Sequence, residues 1–348
     1  MYFTGIDLHK RTSFVTTIDE EGKIVQKDNL CSRPGEILGF LKKLDGTNKI
    51  VIESSSSWYW LYDALTEAGY SVVISHPLKT KAIASAKIKN DKVDSHMLAQ
   101  LLRAGLIPTV HVSTLETRKL KELLRHRSRL VRDVTRMKNR IHTILAKNNC
   151  HVPYSDLFGV QGMMHLKQVC LPDYHRHQVE TYLSIYKELL KQIEPLNQTI
   201  RTLAKEDSNA QLLTSIPGIG PITAMFIMAE VESIDRFPSY RNLASYAGLV
   251  PSLDASGDKH RLGRITKQGS PWLRTAMIEA AHVVPRLNNR KLNLFFRKRI
   301  VRGGYRKAIV ATAHKMLQIV YYVLKNQTPY EEQLQVVRNP VLNVAHVK

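Results

Sequence analysis

Four carboxylates in the first third of this 348-residue chain, Asp7, Glu53, Asp91 and Asp94, are of the type that holds hard cations. Asp7 opens a β-branched run that continues through Val15 and Ile18, and an aspartate on a buried first strand is costly to keep charged without a partner. A divalent metal meets that need. Glu53 closes Lys49-Ile50-Val51-Ile52, a short apolar run of the kind that fits a central strand covered on both faces. Asp91 and Asp94 are three residues apart, which places them on one helical face a single turn from each other. Like charges at that spacing read either as a solvated face paired with Lys89 and Lys92 or as part of a site with Asp7 and Glu53. Four carboxylates suffice for two hard cations, and a pair of magnesium ions can clamp the attacking and leaving oxygens of a phosphodiester.

A second candidate lies far downstream. Ser256 precedes Gly257 in a stretch read as a loop that carries Lys259, Arg261, Arg264, Lys267 and Arg274. Cations around a serine lower its hydroxyl pKa and stabilise charge on non-bridging oxygens, which suits attack on phosphorus; an ordinary turn serine is the alternative. Upstream, Ile216-Pro217-Gly218-Ile219-Gly220-Pro221 has the sequence of a helix-hairpin-helix turn. There Gly218 and Gly220 let the backbone approach a phosphate at the start of the next helix, unless the turn serves only to pack two helices.

The elements that position these residues begin with a hairpin turning at Asp19 to Gly22. Helical patterns follow at Glu36 to Leu44 and from Trp58 to Leu65, the latter expected to take an N-cap hydroxyl from Ser54 to Ser57. With strands at 49–53 and 70–75 and a helix over 78–106, the first domain is α/β with helices on a mixed sheet. In such sheets functional groups collect at the carboxyl ends of strands, where Glu53 falls.

Leu120, Leu123, Arg127, Leu130, Val134, Met137, Ile141 and Ile144 recur in steps of three and four, the rhythm of a coiled-coil seam. A second run, Val179, Leu183, Tyr186, Leu190, Ile193, Asn197, Ile200 and Ala204, repeats it, and Cys150 to Asp173 breaks the helix between them. The two runs fold back on each other or pair with a second chain; homodimerisation is the expectation. Arg125, Arg129, Arg132 and Arg136 give the first helix a strongly basic outer face, suited to nucleic acid.

Composition points the same way. Lys and Arg number 51 against 30 Asp and Glu, a net charge of +21 that marks a polyanion partner. The longest apolar stretch, Ala308 to Leu324, is interrupted by His314-Lys315, and the amino terminus has no basic region followed by an apolar core, so the chain is expected to be cytoplasmic, with no membrane partner. Cys31, Cys150 and Cys170 have no metal-ligand or redox spacing, and His175 and His177 lack the partners of a zinc site.

Gly5-Ile6-Asp7-Leu8-His9-Lys10, Ile52-Glu53 followed by serines, and Asn90-Asp91-Lys92-Val93-Asp94 resemble, in order and spacing, the Asp, Glu, Asp, Asp motif of IS110-family transposases. Ile216 to Pro221, Tyr246 to Pro251, Ala255-Ser256-Gly257 and Arg264 to Gly269 are similar to the second conserved block of that family. The resemblance implies a RuvC-like, RNase H-like α/β domain over 1–108, with Mg2+ held by Asp7, Glu53, Asp91 and Asp94. The heptad runs, the glycine turn and the polar carboxyl end add a helical coiled-coil connector over 109–207, a mainly α domain with the helix-hairpin-helix over 208–328, and a tail over 329–348. The resemblance further implies that Ser256 joins covalently to DNA, with Ser252 and Ser270 as alternatives, and that a structured noncoding RNA pairs with donor and target DNA; the coiled coil adds a homo-oligomer, dimer or tetramer. The expected function is a transposase or site-specific recombinase. A metal-dependent junction resolvase or nuclease using only the acidic site, and a non-catalytic architectural nucleic-acid-binding protein, are the rival readings.

Overall fold

The structure, a computed structural model, describes residues 1–54, 57–83, 91–256, 259–287 and 291–331. It divides into two compact units, Met1–Ser113 and Thr114–Lys348.

In the first unit, β1 (Tyr2–Leu8), β2 (Thr12–Ile18) and β3 (Ile24–Cys31) form an antiparallel meander. The Asp19 side chain accepts from the amides of Glu21 and Lys23 and so closes the turn between β2 and β3. Next, α1 (Pro34–Leu41) starts with proline in its first turn and leads to β4 (Asn48–Glu53), parallel to β1. After α2 (Tyr59–Glu67), β5 (Ser71–Ser75) runs parallel to β4. Then α3 (Pro77–Ile83) and α4 (Asp91–Arg103) precede β6 (Thr109–Val110), antiparallel to β5. The sheet order is β3-β2-β1-β4-β5-β6.

One sheet face is apolar: Ile6, Ile50, Ile52, Ile37, Leu61 and Leu65 are wholly buried in a core shared with α1 and α2. Each such side chain contributes about 1.5–3 kcal/mol. Beneath α4, on the other face, an added Cβ at Gly5 would overlap the Ser95 carbonyl oxygen and stand 2.7 Å from the Ala99 nitrogen, so glycine sets how closely helix and sheet approach. The expected hydroxyl cap on α2 is not formed: its N-cap is Trp58, without a side-chain hydrogen bond, because the helix begins past Ser54 and Ser57. Ser55 and Ser56 lie outside the described residues.

In the second unit, α5 (Leu115–Lys147) is capped by Thr114, whose hydroxyl accepts from the Thr117 amide. It is followed by α6 (Val160–Gln168), within the stretch read only as a break, and by α7 (Asp173–Glu206). Hydrogen bonds from Arg127 to Asn197 and between Asn148 and His175 show that α5 and α7 run antiparallel within one chain. Val134, Met137, Tyr186 and Ile193 pack between them, as do Ile141, Ile144, Leu145 and Val179 further along.

The remainder is mostly helical. It comprises α8 (Ser208–Thr214), α9 (Pro221–Val231), α10 (Tyr240–Tyr246), a β7 (Pro251–Ser256) and β8 (Lys259–Ile265) hairpin, α11 (Pro271–Ala281) and α12 (Lys291–Asn326), which is interrupted at Gly304. Every residue of α9 from Ala224 to Val231 is buried, which makes it the central helix of this unit. The stretch expected as a loop around Ser256 is therefore in part a two-stranded hairpin. The apolar run from Ala308 to Leu324 belongs to the core on α12, and among the described residues no helix is long and apolar enough to cross a membrane. Most of the tail expected over 329–348 lies outside the described residues.

Candidate active site

Parallel pairing places Ile6 opposite Ile52, so the next residues along, Asp7 and Glu53, are neighbours on the sheet face that α4 covers. The Thr16 hydroxyl meets the Ser95 hydroxyl at 2.8 Å, and the Gln100 side chain donates to the Gly22 carbonyl. Those two contacts orient α4 with its amino end toward the edge where Asp7 sits. Asp94 lies one residue before Ser95, and Asp91 is the first residue of the helix. Backbone placement thus sets Asp7 and Glu53 side by side at one end of the sheet and starts α4, with Asp91 and Asp94, at that same end.

Asp7 is 6% exposed and its Oδ2 is 3.3 Å from His9 Nε2. Glu53 and Asp94 are half-buried. Among the described residues, Asp7, Glu53 and Asp94 included, no group of three His, Cys, Asp or Glu side chains is close enough to hold a metal; the Asp91 side chain lies outside that set. The donor chemistry still fits a hard divalent cation: a carboxylate kept in a nearly closed site beside a second one is stabilised by a positive partner. Ser75, the register partner of Glu53, is fully buried, and among the described residues its hydroxyl has no hydrogen-bond partner.

Ser256 is the last residue of β7 and pairs with Lys259 across the hairpin, while Asp254 pairs with Arg261. The side chains of Ser256, Lys259 and Arg261, and all of Gly257, lie outside the described residues. Arg264 and Lys267 are exposed. Arg274 is half-buried and donates from Nη1 to the carbonyls of Ala247 and Lys267, each at 3.1 Å, so this cation ties the two ends of the hairpin together. Of the alternative serines, Ser270 is 7% exposed, caps α11 through the Leu273 amide and donates to Glu230. Ser252 is exposed.

Gly218 has φ +95°, and a Cβ there would stand 2.6 Å from the Ala280 carbonyl oxygen, so its missing side chain is required by the packing of α11. Gly220 is the N-cap of α9 and has open space around it. On α5, Arg129, Arg132 and Arg136 are exposed; Arg136 pairs with Asp133 at 2.7 Å and Arg129 lies 3.8 Å from Glu122.

Arg125 behaves differently: its Nη2 is 3.0 Å from Oε1 of Glu230, a carboxylate 3% exposed whose Oε2 accepts from Ser270 at 2.9 Å. Lys121, 8% exposed, joins this polar cluster; burial pulls its pKa down, with Glu230 opposing and Arg125 reinforcing that shift. Tyr246 beside them is pushed up by burial and then by Glu230. Sequence reasoning missed Glu230. Its signal was a lone carboxylate near the end of the apolar helix Ile222 to Val231, which has to find a buried partner.

Residues 4–149 match a DEDD-type IS110 transposase family model, and residues 210–297 match the model described as "Transposase IS116/IS110/IS902 family". The chain is similar to the transposase for insertion sequence element IS1111A of Coxiella burnetii, 27% identical over 94% of this chain and 90% of that one. A probable family 20 transposase of Pseudomonas aeruginosa is 26% identical over 94% of this chain and 97% of its own length. The pilin gene-inverting protein of Moraxella bovis is 24% identical over 83% of each chain.

Proposed function

The chain belongs to the IS110 family of transposases and is a DNA-modifying enzyme, and from that premise we propose that it cuts and rejoins DNA through Ser256 together with a divalent-metal site at Asp7, Glu53, Asp91 and Asp94. The observation that carries the acidic half of this reading is the register of β1 and β4, which sets the buried Asp7 beside Glu53 under the amino end of α4. The sheet order, with its antiparallel meander followed by parallel strands, agrees with an RNase H-like domain. Carboxylate oxygens at the four positions would hold Mg2+, which when bound supplies positive charge to activate a nucleophile or to stabilise a leaving oxygen.

Ser256 Oγ attacks phosphorus; the new bond is serine oxygen to phosphorus, the broken bond is phosphorus to the departing sugar oxygen, and the serine proton leaves with solvent or the departing group. Lys259, the register partner of Ser256, and Arg261 two positions on supply charge for the non-bridging oxygens. Arg274 holds the hairpin that carries the serine. The net charge of +21 suits both DNA and the guide RNA that the family resemblance implies. The turn before α9 acts as a helix-hairpin-helix contact to phosphate. The α5–α7 pair forms the coiled-coil connector, and its outer surface supports assembly into a homo-oligomer.

The test is to incubate the protein with element-end DNA, Mg2+ and element-derived RNA and to look on a denaturing gel for a protein–DNA adduct. The adduct is expected with the parent, absent with Ser256→Ala and strongly reduced with Asp7→Asn. Strand cleavage that persists in Ser256→Ala without any adduct would instead identify a nuclease that uses the acidic site alone.

A further inference from the structure

Between α5, α9 and α11 lies a cavity of about 120 Å³ whose walls include Arg127, Ser128, Arg132, Thr223, Trp272 and Glu279. Trp272 stacks on Phe226 with planes 14° apart and centroids 6.3 Å apart, which fixes the indole in orientation. Arg132 places its guanidinium 4.8 Å from the indole centroid and Arg125 lies at 5.6 Å. The two cations differ in freedom. Arg125 is held by the buried Glu230 at 3.0 Å, whereas Arg132 is exposed and leans over the ring from outside.

A rigid aromatic platform flanked by cations, with hydroxyls and one carboxylate around it, is the chemistry that receives an unpaired nucleobase. Ring stacking accepts any base, the Ser128 and Thr223 hydroxyls and the Glu279 carboxylate can meet the base edge, and Arg127 and Arg132 can take the adjoining phosphate. Duplex DNA, whose bases are stacked on each other, cannot present a base face to such a recess without unstacking. We propose that this cavity is a binding site for one unstacked nucleotide of a single-stranded or locally opened nucleic acid, with the base on Trp272 and Arg132 moved from the ring to the phosphate. The inference rests on the nucleic-acid reading of the chain but not on the serine or metal chemistry. It assigns Trp272 a role that neither the acidic edge nor the hairpin requires.

The chain has three tryptophans, so Trp58→Phe with Trp60→Phe leaves Trp272 as the sole indole reporter. That protein is titrated with end-labelled (dT)12, (rU)12 and a 12-base-pair duplex, reading anisotropy for binding and indole fluorescence for stacking. The expected result is quenching of Trp272 by a single strand, saturating in parallel with anisotropy, and none by the duplex. The strand that quenches at lower concentration identifies DNA or RNA as the source. Trp272→Leu should weaken single-strand binding roughly 5- to 150-fold while leaving duplex affinity unchanged. Arg132→Ala, which removes the exposed guanidinium over the ring and keeps Trp272 itself, should retain the quench and lower the salt slope by about one phosphate contact. Because Trp272→Leu alters a packed ring, 2-aminopurine emission with the parent protein gives the same answer without a variant. Single-strand binding without quenching of either fluorophore overturns the site. No binding of any oligonucleotide overturns the nucleic-acid reading itself.

Discussion

Arg127 of α5 donates its Nε proton to Asn197 Oδ1 of α7 at 2.7 Å, so the polar residues that interrupt the two heptad runs meet each other within one chain. Asn197 in turn donates from Nδ2 to Glu194 at 3.1 Å. Burial lowers the Arg127 pKa, with Glu279 opposing, as expected of a cation drawn partly out of water. The pair therefore fixes the register of the helical hairpin in the way a buried amide fixes a coiled coil.

Removing one partner should cost more than removing both. Asn197→Leu leaves the Arg127 guanidinium half-buried without its acceptor and is expected to lose about 1–3 kcal/mol, while Arg127→Met with Asn197→Leu recovers most of that loss. Urea unfolding of the two single variants and the double variant, closed as a cycle, measures the coupling. Simply additive losses would show that the contact does not set the register.

Much of this was legible from local pattern, and what was not has more than one cause. Glu53 could be placed because it ends an apolar run whose strand identity depends on near neighbours only, whereas the run read as opening at Asp7 is divided into β1, which holds Asp7 near its end, and β2. Val179, Tyr186, Ile193, Ile200 and Ala204 are buried as their spacing requires, whereas Leu190 of the same run is 41% exposed. At the start of α5 the wholly buried residue is Leu124, not Leu123, because there the helix packs on the core around α9 instead of α7 alone. The β7–β8 hairpin escaped notice since Ser252 to Ile265 is rich in glycine and cations, with little alternation to mark a strand. The contacts of Arg274 and Ser270 were not legible because composition does not tell a surface cation from one held by two carbonyls, or a free hydroxyl from a helix cap bonded to a carboxylate 40 residues away.

Lys121 should make stability depend on alkaline pH. Its folded pKa is lowered, chiefly by burial, below the unfolded value of about 10.4. Below the folded pKa both states carry the proton, and the unfavourable burial of the ammonium is fully present. Between the folded and unfolded values the unfolded chain binds more protons, so stability rises with pH there. Lys121→Met is expected to raise Tm at pH 7, by an amount that shrinks toward zero as the pH nears 10.4. Tyr246, whose pKa is raised by burial, acts with the opposite sign above about pH 10, but in both proteins alike. A variant less stable than the parent at pH 7 would mean that the ammonium is a net stabilising member of the Glu230 cluster.

Gly5→Ala should unseat α4. The new methyl overlaps the Ser95 carbonyl oxygen, and backbone on both sides leaves it nowhere to go. A loss of about 1–3 kcal/mol or more is expected, with α4 displaced and Asp94 carried away from the Asp7 edge. Gly39→Ala is the contrast, since nothing lies within 4 Å of its added Cβ and it sits inside α1, where alanine should stabilise by up to about 1 kcal/mol. Thermal melts with and without Mn2+ separate the two effects. Gly5→Ala should lose both basal stability and any metal-induced rise in Tm, and a full metal response in that variant would argue against α4 as part of the site.

Arg274 should matter for the rate of covalent joining more than for DNA affinity. Its Nη1 bonds to Ala247, before β7, and to Lys267, after β8, so the strand ends that present Ser256 are held by one guanidinium. A methionine of similar length fills the space but cannot donate, leaving two carbonyls unpaired and the hairpin free to shift. A displacement near 1 Å at a reacting atom costs roughly a hundredfold in rate. Arg274→Met is therefore expected to slow adduct formation roughly ten- to a hundredfold while equilibrium binding of the same DNA changes little. The opposite pattern, a uniform loss of affinity with the salt slope reduced by about one and an unchanged single-turnover rate, would make Arg274 a phosphate contact and leave the position of Ser256 to the hairpin's own ladder.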